Sequence, residues 1–314
     1  MSLPLLHVEA PGEWPATGLL RERKPPWLKV RAPGGGGYLH VQGLMRGLGL
    51  HTICEEAHCP NIGECWDRGT ATFLILGDIC TRGCRFCAVA KGRPEPPDPE
   101  EPDRLAVAIA RLNLRHAVIT SVNRDDLPDR GAGAFAAVIR AARARCPQTT
   151  LEVLIPDLRG ALDGLDEILA AGPHILNHNM ETVRRLYRRV RPGADYDHSL
   201  ELLRRARARG GERVVTKAGF MVGLGETRDE LAPLLADLRA VDCEVLTVGQ
   251  YLRPSQDHLP IVRYYTPAEF AEIKGAALAM GFRYVESGPL VRSSYHAADQ
   301  VPEGLRRAAP DTAR

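Results

Sequence analysis

The stretch ATFLILGDICTRGCRFC, residues 71–87, decides the fold and places the chemistry. Its first seven residues form a compact apolar run that ends at Gly77, a pattern typical of a buried β-strand. Three cysteines, Cys80, Cys84 and Cys87, follow at once, separated by three and two residues. Their thiolates can converge on one site if the loop curls around it. The segment therefore predicts a metal-binding loop just beyond a buried strand.

Strand-like and helix-like segments alternate along the rest of the chain. Such alternation predicts an α/β fold with a parallel sheet and helical crossovers, because continuously apolar strands are expected where both faces of a sheet are covered. An open doubly wound sheet and a closed or partial barrel share this signature. The predicted strands span residues 71–77, 116–122, 150–155, 174–176, 213–222, 244–250 and 282–286, and the predicted helices 40–50, 103–112, 132–145, 162–171, 180–190, 196–209, 228–240 and 268–280.

Two of these helices have clear start signals. Thr227 precedes Glu230 by three residues, and Thr266 precedes Glu269 by the same spacing, with Pro267 between them. A hydroxyl and a carboxylate at this spacing can satisfy free backbone N–H groups in a capping box, and proline suits the first helical position.

A second cysteine cluster, CEEAHCPNIGEC, contains Cys54, Cys59 and Cys65. Six of the eight cysteines thus fall within residues 54–87, at one edge of a long, enzyme-like chain. A secreted disulfide scaffold is usually short and cysteine-dense throughout, so metal ligation is favoured. Each triplet could be a structural zinc site, but zinc prefers four ligands, often in paired CxxC hooks. Cys146 and Cys243 stand alone, and we expect them in the core.

The bulk composition excludes several classes of function. The 314 residues carry a net charge of only +2, which gives no global argument for nucleic-acid binding. No apolar run reaches the roughly 18 residues of a membrane span, and no basic start followed by an apolar stretch indicates a secretory signal. A cytoplasmic location without membrane or nucleic-acid partners is expected.

The cysteine spacings together resemble a known family. CxxxCxxC with an aromatic before the third cysteine is similar to the cluster loop of the radical S-adenosylmethionine (SAM) superfamily, and the upstream CxxxxCxxxxxC resembles the auxiliary-cluster motif of lipoyl synthases within it. The agreement runs from about residue 23 to 297 and includes RKPPWLK (23–29), TSVNRDDL (120–127), NHNMETV (177–183), MVGLGE (221–226), QYLRPS (250–255) and RSSY (292–295).

The resemblance implies a partial (β/α)6-type barrel with cofactors at the carboxyl ends of its strands. It also implies that Cys80, Cys84 and Cys87 hold a 4Fe–4S cluster whose open iron binds SAM. Reduction of that cluster cleaves SAM to a radical that abstracts hydrogen from an unactivated carbon. Asn123, Asn179 and Glu181 follow predicted strands and are candidates to face SAM, although Asn123 could belong to a polar loop and Asn179 could be only a helix cap.

The same resemblance implies that Cys54, Cys59 and Cys65 hold a second 4Fe–4S cluster, the sulfur source that is consumed. Its fourth ligand would be a serine oxygen of the RSSY motif, Ser294, with Ser293 as the fallback. Two sulfur atoms would be inserted at carbons 6 and 8 of an octanoyl chain on a lysine of a carrier domain. From the local sequence alone, residues 292–295 are predicted to form a C-terminal turn that supplies no metal ligand.

The implied partners are octanoylated lipoyl carrier domains, of the glycine cleavage H protein or the 2-oxoacid dehydrogenase E2 type, and a reduced ferredoxin- or flavodoxin-type electron donor. The arginine-rich runs 184–191 and 204–209 are interpreted as solvated helix faces, with docking of an acidic carrier as a hypothesis. His58 is expected to face solvent. The expected organisation is an extended arm (1–37), an auxiliary cluster segment (38–70), the partial barrel (71–290) and a C-terminal extension (291–314).

Two alternatives stay open on the sequence alone. A radical SAM enzyme of the biotin synthase type shares the CxxxCxxC loop. A non-catalytic zinc or redox module shares the cysteine clustering.

Overall fold

The computed structural model describes residues 23–30 and 32–301 of the chain. The strands are β1 (His51–Thr52), β2 (Thr72–Ile75), β3 (Ile79–Cys80), β4 (Ala90–Lys91), β5 (His116–Ser121), β6 (Thr150–Leu154), β7 (Ile175–Asn177), β8 (Val215–Val222), β9 (Val245–Gln250) and β10 (Tyr284–Gly288). The α-helices are α1 (Gly36–Gly47), α2 (Ile53–Glu56), α3 (Ile62–Asp67), α4 (Glu101–Arg111), α5 (Ala132–Arg145), α6 (Leu162–Ala171), α7 (Tyr187–Val190), α8 (Tyr196–Gly210), α9 (Arg228–Ala240) and α10 (Pro267–Ala279).

One eight-stranded sheet organises the molecule, with β1, β2, β5, β6, β7, β8, β9 and β10 in that spatial order. Every neighbouring pair is parallel except β1 with β2, which is antiparallel. The order never reverses, and parallel crossovers are right-handed, so the connecting helices lie on the same face and the other face forms an interior. Among the described residues no pairing joins β10 to β1, so the arrangement is an open, barrel-like sheet. The predicted parallel α/β fold is confirmed.

The helix starts follow the predicted chemistry. The backbone N–H of Thr227 donates to the Glu230 carboxylate at 2.8 Å, and that of Thr266 donates to the Glu269 carboxylate at 2.8 Å. Helices α9 and α10 begin directly after these two threonines. Both capping boxes are therefore confirmed.

The predicted helix over 180–190 is wrong in its first half. The backbone N–H groups of Met180 and Glu181 both donate to the carbonyl of Gly219, and Glu181 forms a parallel bridge with Phe220. The chain therefore stays paired with β8 beyond the end of β7; a 3₁₀ helix follows at Arg184–Leu186, and helix α7 begins at Tyr187. This pairing with β8 outweighs the local helical spacing and holds Glu181 beside the sheet.

The C-terminal segment covers the amino end of the sheet interior. A 3₁₀ turn at Ala297–Gln300 contacts both β5 and β10. Val301 then packs against Ile175, Val215 and Val245, the first residues of three neighbouring strands. The far end of the interior is thereby closed, which leaves the carboxyl ends of the strands as the open edge.

A buried ion pair spans the interior between these two ends. The Nζ of Lys217 lies 2.8 Å from Oε1 of Glu152, and neither side chain is exposed to solvent. Oε2 of Glu152 lies 3.2 Å from Nε2 of His116. Burial favours the neutral carboxyl, but Lys217 and then His116 outweigh that effect and hold the pKa of Glu152 well below its usual range.

Glu152→Gln is expected to lower the free energy of unfolding by about 3–5 kcal/mol, because it leaves Lys217 buried without its counter-charge. The measurement is urea unfolding at pH 7. The double variant Glu152→Gln/Lys217→Met removes both charges and should recover most of the loss. A Glu152→Gln variant with the same free energy of unfolding as the parent would contradict this expectation.

The same ion pair makes stability depend on pH. Because the folded-state pKa of Glu152 is lowered, its contribution to the free energy of unfolding is present above the usual glutamate pKa of 4.5 and is lost as pH falls through the lowered value.

Candidate active site

A cavity of about 500 Å³ opens at the carboxyl ends of the parallel strands. Enzymes with parallel barrels carry their active sites at this edge, because the loops after successive strands meet there. The cavity contains five of the six clustered cysteines and all three candidate SAM residues; its functional lining is Cys54, Cys59, Cys80, Cys84, Cys87, Asn123, Asn179, Glu181, Ser293 and Ser294.

The Cys80 loop sits at this edge because it follows β2 and the short strand β3. Sγ of Cys80 accepts hydrogen bonds from the backbone N–H groups of Arg82 at 3.4 Å and Asn123 at 3.3 Å. The N–H of Cys87 bonds to the carbonyl of Cys84 in a tight turn. These contacts fix the position of the Cys80 sulfur at the edge of the sheet.

The buried side chain of Arg82 holds the Cys80 loop in place. The sequence analysis did not identify this residue as a candidate. Its guanidinium donates two hydrogen bonds to Asp125, at 2.6 and 2.9 Å, and one to Asp157 at 2.7 Å. Asp125 and Asp157 follow β5 and β6, so one buried cation ties three loops together. Asp125 thus holds Arg82, whereas Arg124 turns away to Asp126 and the Leu76 carbonyl.

The three candidate SAM residues lie around the same cavity. Nδ2 of Asn179 donates to Oγ of Ser293 at 2.7 Å, while its Oδ1 is buried with no hydrogen-bond partner among the described residues. Burial raises the pKa of the Glu181 carboxyl, against the opposing effects of Arg191, Asn179 and Arg292. Asn123 contributes its backbone to Cys80 and lines the wall. An orphaned buried acceptor indicates a ligand donor at this position.

Arg191 corrects one expectation from the sequence. It ends an arginine-rich run that was interpreted as a solvated face, yet it is only 8% exposed and lines the cavity. Its Nη1 donates to the Asn179 carbonyl and to the Tyr187 hydroxyl, each at 2.7 Å. The earlier part of the run does face solvent, where Arg184 pairs with Asp197 and Arg185 with Glu230.

The second cysteine triplet borders a smaller cavity of about 260 Å³. Cys54, Cys59 and Ser294 line both cavities, and Cys65 lines the smaller one. Cys54 lies in α2 and Cys65 in α3, two short helices joined by the turn that carries Cys59. Burial and neighbouring thiols raise the pKa of Cys54 to about 11 and that of Cys65 to about 12. These thiols keep their protons unless a metal displaces them.

The described thiols of neither triplet are gathered as closely as the ligands of a single zinc ion. A tetrahedral site with metal–sulfur bonds of about 2.3 Å holds its sulfurs about 3.8 Å apart. Among the described residues, the one group of three His, Cys, Asp or Glu ligand atoms within 4.8 Å of one another is His51, Glu56 and Asp78, which contains no cysteine. Neither cysteine triplet is drawn that tightly together. An iron–sulfur cube binds each cysteine to a different iron and requires wider spacing.

The RSSY segment lies against the auxiliary triplet. Oγ of Ser294 accepts a hydrogen bond of 2.7 Å from Oγ1 of Thr72, and the Tyr295 hydroxyl donates to Glu64 at 3.1 Å. The Asn61 side chain donates to the Leu290 carbonyl at 2.7 Å. Three contacts thus join residues 290–295 to residues 61–72, more than 200 residues earlier. Residues 293–296 form the turn that the local pattern predicts, and Ser294 lines both cavities; its role as a ligand stays a prediction.

Comparison with known proteins agrees with this geometry. The profile of the Radical SAM superfamily matches residues 74–238, and that of the N-terminal domain of lipoyl synthase matches residues 13–59. A lipoyl synthase of Roseiflexus sp. is 60% identical over 277 residues, covering 88% of this chain and 92% of the relative. One from Rubrobacter xylanophilus is 57% identical over 288 residues, covering 92% and 89%.

The chain belongs to the lipoyl synthase family of radical SAM enzymes. It is therefore a sulfur-inserting enzyme, and membership implies use of SAM and a 4Fe–4S cluster. The alternatives of a biotin synthase type and of a non-catalytic zinc or redox module do not agree with these matches.

Solved structures agree on the fold. The FeFe-hydrogenase maturase HydG from Carboxydothermus hydrogenoformans has a TM-score of 0.52 at 19% identity, covering 66% of this chain and 50% of that one. Streptococcus suis SuiB has a TM-score of 0.54 at 12% identity, covering 73% and 54%. Across the described residues, none of the helices combines the length and apolarity needed to cross a bilayer.

Proposed function

We propose that the protein inserts two sulfur atoms, at carbons 6 and 8 of an octanoyl chain carried on a lysine of a lipoyl carrier domain, and draws both from a second, auxiliary 4Fe–4S cluster. One observation carries the proposal: Cys54, Cys59 and Ser294 line the cavity that also contains Cys80, Cys84 and Cys87. A radical made at one triplet and a sulfur held at the other would then meet a substrate in a shared space.

The roles divide between the two triplets. Cys80, Cys84 and Cys87 hold one cluster with three thiolates, which leaves one iron open for SAM. When bound, SAM and this cluster supply a hydrogen-abstracting radical. Asn179 offers its free Oδ1 to SAM, Glu181 and Asn123 complete the polar wall, and Arg191 fixes Asn179 through its carbonyl.

The auxiliary cluster is held by Cys54, Cys59, Cys65 and the Ser294 oxygen. An alkoxide is a harder ligand than a thiolate, which suits a cluster that must release iron as its sulfur is used. Leu74, Leu154 and Met221 line the same cavity and offer apolar contact to a saturated chain.

Replacing one cysteine from each triplet separates the two half-reactions. Cys84→Ala should abolish SAM cleavage, because one ligand of the radical-generating cluster is lost. Cys59→Ala should leave SAM cleavage intact while no sulfur enters the octanoyl chain. Anaerobic assays measure 5′-deoxyadenosine by chromatography and the octanoyl-lysyl product by mass spectrometry.

Cys146→Ala is the matched control, since Cys146 lies outside both cavities and its thiol lies 3.8 Å from the Ala106 carbonyl. It should support both half-reactions. Lipoyl product from Cys59→Ala would refute the role of the second triplet as sulfur donor.

The partners follow from this chemistry. We propose the glycine cleavage H protein or an E2-type lipoyl domain as carrier. We further propose a reduced ferredoxin or flavodoxin as electron donor and the cytoplasm as the location.

The division at residues 37, 70 and 290 remains a prediction; helix α1 begins at Gly36, one residue before the first of these boundaries.

Basic side chains surround the entrance through which a carrier would reach the cavity. Lys24 and Lys91 are exposed and Arg253 is half-buried, all three line the cavity, and within the described part of the chain no salt bridge involves them. Glu181 is the one carboxylate among the described lining residues. The arginines of α8 are instead largely neutralised, as in the pairs of Arg204 with Glu201 and Arg205 with Asp166. An acidic carrier surface is therefore expected to dock at the entrance rather than on α8.

Lys24→Glu/Lys91→Glu should raise the KM for an octanoylated carrier domain by about tenfold at low salt, and less at high salt. The KM for a short octanoyl-lysyl peptide should not change, because the peptide does not reach the rim. Arg111→Glu, an exposed cation at the end of α4, is the control. An equal rise in KM for carrier and peptide would contradict docking at this rim.

A further inference from the structure

Thr72 shares its cavities with the auxiliary cysteines and bonds to the C-terminal serine. It is the first residue of β2, its side chain is buried, and it lines both cavities. Its hydroxyl donates to Oγ of Ser294 at 2.7 Å. Cys54, Cys59 and Ser294 line the same two cavities. Thr72 thus shares both cavities with three of the four proposed ligands of the auxiliary cluster and bonds directly to one of them, Ser294.

We propose that Thr72 is a positioning residue for the auxiliary cluster, whose hydroxyl holds Ser294 Oγ at the ligand position. The inference rests on the proposed role of Ser294. It adds a residue that neither cysteine spacing nor the RSSY motif identifies.

The direction of the hydrogen bond supports this role. A serine that binds iron as an alkoxide has no proton and can only accept. The arrangement observed, with Thr72 donating and Ser294 accepting, already satisfies that requirement. The observed bond therefore agrees with Ser294 as a ligand and fixes the position of its Oγ.

The neighbouring serine shows why Ser294 and not Ser293 takes this position. Ser293 Oγ accepts from Asn179 at 2.7 Å, on the side of the cavity proposed for SAM. Ser294 Oγ accepts from Thr72 on the side of the auxiliary triplet. The two adjacent hydroxyls are thus oriented toward different sites by different donors, and β2 supplies the donor that selects Ser294.

Thr72→Val keeps the shape of the side chain and removes the donor. A buried oxyanion that loses its hydrogen-bond partner is strongly disfavoured, so ligation by Ser294 should weaken. Loss of such a supporting contact commonly costs 10–100-fold in metal affinity. We expect the first auxiliary iron to be extracted by a chelator about tenfold faster than in the parent.

The experiment uses the full chain loaded with iron and sulfide, with SAM present to occupy the open iron of the other cluster. Iron release to the chelator is followed by absorbance, and the three-iron product by electron paramagnetic resonance. A repeat in the Cys80→Ala/Cys84→Ala/Cys87→Ala background assigns the signal, since all bound iron is then auxiliary. Thr72→Ser should restore the parent rate. Thr149→Val, which removes a buried hydroxyl bonded to the Leu114 carbonyl, should not change it.

A double-mutant comparison separates the possible failures. If Ser294→Ala speeds iron loss, and Thr72→Val adds nothing to it, Thr72 acts through Ser294. A parent rate in Thr72→Val, or additive effects in the double variant, would overturn the inference while leaving Ser294 as a ligand. A parent rate in Ser294→Ala itself would remove that ligand from the proposed function, and the role of Thr72 with it. If Thr72→Val does not fold, Thr72→Ala against Thr72→Ser gives the same comparison.

Discussion

Parallel pairing of consecutive strands is the constraint on which the whole site depends. Because each strand from β2 to β10 in the main sheet runs in the same direction, the loops that leave their carboxyl ends meet at one edge. One cavity is therefore lined by residues that are distant in the sequence: the Cys80 loop, Asn123, Asn179 and Ser294. Cys80 and Ser294 are more than 200 residues apart along the chain. The C-terminal turn closes the opposite end and leaves this edge as the way in.

The buried cations Arg82 and Lys217 are stabilised by ion pairs with carboxylates rather than by contact with water. Arg82 is held by two carboxylates from separate loops, and deeper in the interior Lys217 is held by Glu152. Such pairs have little net worth as a source of stability, but breaking one leaves a costly unpaired ion. They therefore fix the relative positions of the loops. For the thiols of Cys54 and Cys65, in contrast, burial raises the pKa, which keeps them protonated until metal is supplied.

Local patterns in the sequence predicted those features that depend on local chemistry. The apolar runs became strands of the parallel sheet, and the Thr–Glu pairs at 227–230 and 266–269 became caps. Features set by distant partners were missed. The sequence predicted Arg191 to be solvated like the rest of its arginine run, but its guanidinium points inward and donates to the Asn179 carbonyl. Glu181 lies outside a helix, contrary to the prediction, because its backbone N–H bonds to the carbonyl of Gly219 in the neighbouring strand.

The role of Thr72 could not be predicted from sequence for the same reason. Its partner Ser294 lies 222 residues away, and a threonine at the start of an apolar strand carries no signal of its own. The cysteine spacings, by contrast, identified the ligand candidates, because the three cysteines proposed to share each cluster lie within a dozen residues of one another. Their resemblance to one family supplied the chemistry that spacing alone left open.

The central claim is that the two thiol triplets hold two separate iron–sulfur cubes, one that generates the radical and one that supplies sulfur. The most direct measurement is the iron and sulfide content of the full chain after anaerobic reconstitution, combined with Mössbauer spectroscopy. The account predicts about eight irons and eight sulfides per chain, falling to about four of each in either triple-alanine variant. About four irons in the parent chain, or tightly bound zinc in place of iron at the second triplet, would contradict it.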